Sequence, residues 1–134
     1  MLFAWPASNG GDIIEVENDF NTIESPSVVS SDIAVEQKKI AWCESRNLQF
    51  NPDGSVKRGV VNSQDVGKWQ INEHYHLEES IRLGMDIYTL AGNTAYAQHL
   101  YSSQGNTPWN WSKDCWSDPN RVWWEKDGEY WSKD

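Results

Sequence analysis

The period of the hydrophobic positions changes along the chain. Residues 1–30 sustain neither a helical nor a strand period; Gly10-Gly11, scattered acids and Ser25-Pro26-Ser27 read as a linker or mobile arm. Order is expected to begin near Ser31-Asp32, where small polar capping residues precede Ile33 and predict a helix over about 32–46. At about 100° per residue, Ile33, Ile40 and Glu44 fall within roughly 40° of one another. Val35 and Trp42 lie on the opposite side. Such a helix is apolar on two faces, is expected at the centre of the fold, and carries Glu44 inward.

Asn51-Pro52-Asp53-Gly54 is a turn signal. Val56 to Val61 and Asp65 to Asn72 then read as short strands or a hairpin-like lobe. From about Glu78 the pattern is helical: Ile81, Met85, Tyr88 and Leu90 suggest one helix, Thr94, Ala97, Leu100 and Tyr101 a second, with a break near Gly92-Asn93. Gly105 ends it, and an aromatic loop, Pro108-Trp109-Asn110-Trp111, follows. The expected fold is α+β, mainly helical with a small β lobe, over 31–116. An acidic arm (1–30) precedes it and a Trp-rich tail (117–134) follows.

Length narrows this further: 134 residues suit one domain. The net charge of −9 argues against gripping nucleic acid through its phosphates. Much of it sits at the ends, since residues 1–32 hold six acids and no Lys or Arg. No apolar run approaches the roughly 20 residues of a membrane span. Cys43 and Cys115 by number alone leave two readings open, buried thiols or one bridge.

Glu44 is the most informative residue. A carboxylate on an apolar stripe near a helix C-terminus loses hydration and faces the negative end of the helix dipole, and both effects raise its pKa. An acid that keeps its proton near neutrality can protonate a leaving oxygen; pairing with Arg46 or Lys113 is the structural alternative. Asp65 is the second candidate carboxylate, and an ordinary turn role is its alternative. The Trp residues interleave with amides in Trp69-Gln70-Ile71-Asn72 and Trp109-Asn110-Trp111, a mixture suited to sugar faces and hydroxyls. Trp42 and Trp116 are expected in the core, and some of Trp69, Trp109 and Trp111 in a groove. His74-Tyr75-His76 has strand-like ligand spacing but fixes no third ligand, so neither metal nor cofactor is expected.

The order of these residues resembles a known family. Ala41-Trp42-Cys43-Glu44-Ser45 is similar to the Glu-Ser signature of lysozyme-like lytic transglycosylases, and a Cys stands before that Glu in the resuscitation-promoting factor branch. Val66-Gly67-Lys68-Trp69-Gln70-Ile71-Asn72 resembles the Gly-x-x-Gln-Ile segment that follows there. Asn93 before Ala97 and Leu100-Tyr101, then Gln104-Gly105, Pro108-Trp109 and Cys115-Trp116, resemble the remainder of such a domain.

The resemblance implies a lysozyme-like α+β domain that cleaves the β-1,4 link between N-acetylmuramic acid and N-acetylglucosamine in peptidoglycan strands. It implies Glu44 as catalytic acid, a Cys43–Cys115 bridge, and a secreted or cell-wall-associated monomer. Substrate-lining roles fall on Trp69, Gln70, Asn72, Trp109 and Asn110. The transglycosylase outcome is favoured by the number of matching motifs. Ser63-Gln64-Asp65-Val66-Gly67 also resembles the Ser-x-Asp-x-Gly stretch of animal-type lysozymes, which makes Asp65 a second catalytic carboxylate and keeps a hydrolase open. A glycan-binding module without catalysis is the remaining alternative.

Overall fold

Helix α1, Val35–Ser45, opens the described chain; the structure, a computed structural model, describes residues 33–134. The acidic segment 1–30 and the expected cap Ser31-Asp32 lie outside the described residues. The N-cap of α1 is Ala34, with no side-chain cap, so the helix starts later than the polar pair suggests. It stops because Arg46 and Asn47 both turn left-handed, at φ 59° and 66°, and their amides close onto Trp42 O and Ala41 O. Its buried residues are Gln37, Ile40, Ala41, Trp42 and Ser45; of the second expected stripe Trp42 is buried, whereas Val35, at the first turn, is exposed.

The β lobe is smaller than its sequence suggests. Strands β1 (Asp65–Val66) and β2 (Ile71–Asn72) pair antiparallel with Asp65 opposite Asn72, and single bridges join Phe50 to Val56 and Arg58 to Val66. Gly67 (φ 78°) and Gln70 (φ 50°) fold the expected strand 65–72 into a tight turn at its middle. A Cβ on Gly67 would stand 2.4 Å from Asn93 Nδ2 and 2.6 Å from Gln49 Oε1, so backbone and buried amides meet where only glycine fits.

Helix α2, Glu73–Arg82, begins earlier than the apolar period indicates, because the Asn72 side chain caps it by accepting from Tyr75 N at 3.2 Å. Helix α3, Leu90–Gln104, is capped by Thr89. The interruption expected at Gly92-Asn93 falls instead at 83–89. Gly92 lies inside α3, where a Cβ would run into Asp86 O at 1.8 Å. A 3-10 segment, Thr107–Ser112, leads into the short helix α4, Lys113–Trp116, and the Cys43–Cys115 disulfide ties α4 to α1 across 72 residues.

Residues 117–134, set apart as a tail in the sequence, end in a hairpin of β3 (Trp123–Lys126) and β4 (Glu129–Ser132) within the same compact unit as the helices. Trp123 meets Trp42 edge-on at 5.5 Å. Asn47 Nδ2 donates to Tyr130 O at 2.9 Å, and Lys68 Nζ lies 2.6 Å from Glu129. The boundary proposed at 116/117 is therefore not a structural one, because the hairpin's aromatic face covers α1. The architecture is mixed α+β and helix-rich, with two small two-stranded sheets. Ile40, Trp69, Ile71, Tyr96, Leu100 and Trp116 lie in its core. No helix among the described residues is long and apolar enough to cross a membrane.

Candidate active site

Glu44 occupies the last turn of α1 and is partly buried in a cleft of about 350 Å³. The turn is held from two sides. Ser45 Oγ donates to Lys68 O at 2.6 Å, joining the helix end to the β lobe, and the neighbouring Cys43 is bonded to Cys115. Glu44 Oε2 accepts from Ser112 Oγ at 2.5 Å. Arg46 is not its partner: that guanidinium lies over the Trp42 ring at 4.0 Å and pairs with Asp134. Burial pushes the Glu44 carboxyl up to about 7, the charge of Asp65 adds to this, and the Ser112 hydrogen bond opposes it.

Asp65 lines the same cleft. Its carboxylate accepts from Asn72 Nδ2 at 3.0 Å across the β1–β2 pair, rather than capping its own turn. The strands are positioned by Asn93, which is fully buried on α3. Its Nδ2 donates to Val66 O and Ile87 O at 2.9 Å each, and its Oδ1 accepts from Trp69 N at 3.0 Å. One side chain thereby pairs two backbone groups at the turn, Val66 O and Trp69 N, and ties them to Ile87 O, which also accepts from Gln49 Nε2 at 3.2 Å. Gln70, held at positive φ, bonds Gly67 O through Nε2 at 3.0 Å and lines the cleft beside Asn72.

The tryptophans divide by environment. Trp69 is 2 % exposed, donates to Gln37 O at 3.1 Å, and does not line the cleft, so its expected substrate contact is corrected to a core role. Trp109, 3 % exposed, donates to Trp69 O at 2.8 Å and still forms part of the cleft wall. Asn110 is exposed and points to no cleft contact, whereas Trp111 lines the cleft with 94 % of its surface free. The segment Thr107–Ser112 is not a regular 3-10 helix: the backbone kinks at Trp109 (φ −109°, ψ 26°), between a buried Trp109 and an exposed Asn110 and Trp111.

Sequence reasoning missed Ser112, Tyr75 and His76. Tyr75 and His76 line the cleft from the first turn of α2, not from a strand. His76 Nδ1 lies 3.0 Å from Tyr96 Oη, and burial, with the nearby His99, lowers its pKa. The cap Asn72 was the available signal, because a helix starting there sends the third and fourth residues back over the cap. Ser112 had no sequence signal; only the chain's return past α1 brings it to Glu44. Among the described residues no cluster of His, Cys, Asp and Glu is suited to hold a metal.

No family model, curated protein or solved structure matches this chain.

Proposed function

We propose that residues 33–134 form a lysozyme-like glycosidase domain that cleaves the β-1,4 link between N-acetylmuramic acid and N-acetylglucosamine in peptidoglycan, with Glu44 as general acid. One observation carries the reading: a partly buried carboxyl with a pKa of about 7 shares a cleft with a second carboxylate, Asp65. Glycoside cleavage commonly uses such a pair, one protonated and one charged. The ordered resemblance across 33–116 adds the substrate class. Gln70, Asn72 and Trp109 in the cleft wall, with Trp111 at its rim, supply amides and flat apolar surface for sugar rings.

In this reading Glu44 protonates the glycosidic oxygen while positive charge builds at the anomeric carbon. Asp65 stabilises that charge or attacks it, and water completes hydrolysis with Glu44 now acting as base. The geometry favours this outcome over the one favoured by the motif count, because the Asp65 side chain has no turn-capping role and faces the cleft. The transglycosylase outcome is the second reading: the sugar's own 6-hydroxyl attacks, Glu44 takes its proton, and a 1,6-anhydro end is left. The observation in its favour is that burial raises the Glu44 carboxyl to about 7, where it can serve as acid and then as base.

The disulfide and the lack of a spanning helix among the described residues are compatible with a secreted or cell-wall-associated protein. Mass spectrometry of digested, purified peptidoglycan tests the proposal. New reducing ends support hydrolysis. Products lighter by one water support the transglycosylase reading. Absence of any cleavage by folded, oxidised protein removes both and leaves a glycan-binding module.

A further inference from the structure

Two hydrogen bonds meet at Ser112. Its Oγ lies 2.5 Å from Glu44 Oε2 and 3.3 Å from Trp109 O, and a hydroxyl has one hydrogen for the two acceptors. When Glu44 is ionised, the Ser112 hydrogen belongs on Oε2, where the bond is charge-assisted. When Glu44 is protonated, its own hydrogen can lie on Ser112 Oγ, and the serine hydrogen then turns to Trp109 O. Trp109 O keeps the Trp116 Nε1 donor at 3.1 Å in either arrangement, and the two differ by the Glu44 proton and a rotation about the serine Cβ–Oγ bond.

We infer that Ser112 is a positioning residue for Glu44, holding its carboxyl in one place in both protonation states by reversing its own donor direction. This rests on the glycosidase reading for its purpose. An acid that gives up its proton and later takes one back needs a partner suited to each state. Ser112 gains and loses no proton itself: the Glu44 hydrogen turns from Ser112 to the glycosidic oxygen and is transferred there, and the serine hydrogen swings onto the vacated carboxylate. The charge is stabilised as it forms, without the resting acid being ionised. The disulfide keeps the two in register, since Cys43 precedes Glu44 by one residue and Cys115 follows Ser112 by three.

The other groups around Glu44 do not duplicate this role. Asp65 on β1 is negative and raises the Glu44 pKa. Tyr75 and His76 on α2 line the cleft, and His76 is engaged with Tyr96. Arg46 is paired with Asp134, and Lys113, next to Ser112, is exposed.

The test is carbon-13 NMR titration of the Glu44 carboxyl in the full oxidised chain, for wild type, Ser112→Ala and Ser112→Thr, beside the pH dependence of glycan release. Loss of the hydroxyl should raise the Glu44 pKa by about one pH unit, because bonds to a charged group are the stronger ones. The alkaline limb of glycan release should move with it, kcat should fall about tenfold, and KM should stay unchanged. The Thr variant should restore all three. If the Ala variant does not fold, Ser112→Val against its isostere Ser112→Thr makes the same comparison. A hydroxyl-less variant that titrates as wild type overturns the inference while leaving Glu44-dependent cleavage intact. If no glycan is cleaved, the glycosidase reading fails and the titration still decides Ser112.

Discussion

Gly67 and Asn93 occupy one space: the Asn93 amide nitrogen sits 2.4 Å from where a Cβ on Gly67 would be, while it donates to the carbonyl of Val66 next door. The turn that carries Asp65 to the cleft therefore depends on a missing side chain in one element and a buried amide in another. Gly67→Ala should lose about 3 kcal/mol or more, from the strained φ of 78° together with the clash. Urea denaturation measures this, and a loss under 1 kcal/mol would show that the Asn93 network yields easily.

Glu44→Gln keeps the shape of the acid without its proton. Glycan release should fall by about 10²–10⁴-fold with the fold retained. Wild-type release should decline as pH rises through about 7, as the acid ionises. Near-normal release by folded Glu44→Gln would remove Glu44 from the chemistry.

The same carboxyl should make stability depend on pH with a definite sign. Its pKa rises from 4.5 to about 7 on folding, so between those values the native state holds a proton that the unfolded state has lost. Stability therefore falls as pH rises through this window and levels off above it. Glu44→Gln should escape the penalty, exceeding wild type by up to about 3 kcal/mol at pH 8 and converging with it near pH 4. Parallel stability curves for the two proteins across that range would contradict the raised pKa.

The Cys43–Cys115 bridge closes a loop 72 residues apart in sequence, worth about 4 kcal/mol in loop entropy. Thiol titration of denatured, unreduced protein should find no free cysteine, and Cys115→Ser should lower the melting temperature steeply. A reduced protein with unaltered stability would show that the helix contacts alone hold α4 in place.

Deleting 117–134 should uncover Trp42 and break the Lys68–Glu129 and Asn47–Tyr130 links. The expected cost is about 3 kcal/mol, or a fall of more than about 10 °C in Tm. A truncated protein that melts like the full chain would return the hairpin to the status of a tail.

The helical period and the isolated carboxylate on its stripe were enough to place Glu44 inward, because both follow from local geometry at one residue every 100° or so. Turn chemistry was less legible. A run such as Asp65–Asn72 has strand composition, and only the buried amide of Asn93 makes the turn at Gly67–Gln70 the better way to satisfy its backbone. The hairpin was hidden for a similar reason: its Trp residues have no period that reveals the Trp42 ring against which Trp123 packs. What the sequence alone determined is the helix-rich α+β composition and the acid in the last turn of α1. What tertiary structure decided is the company that acid keeps. Ser112 and Asp65 lie 68 and 21 positions away along the chain, and hydrogen bonding and charge act through space.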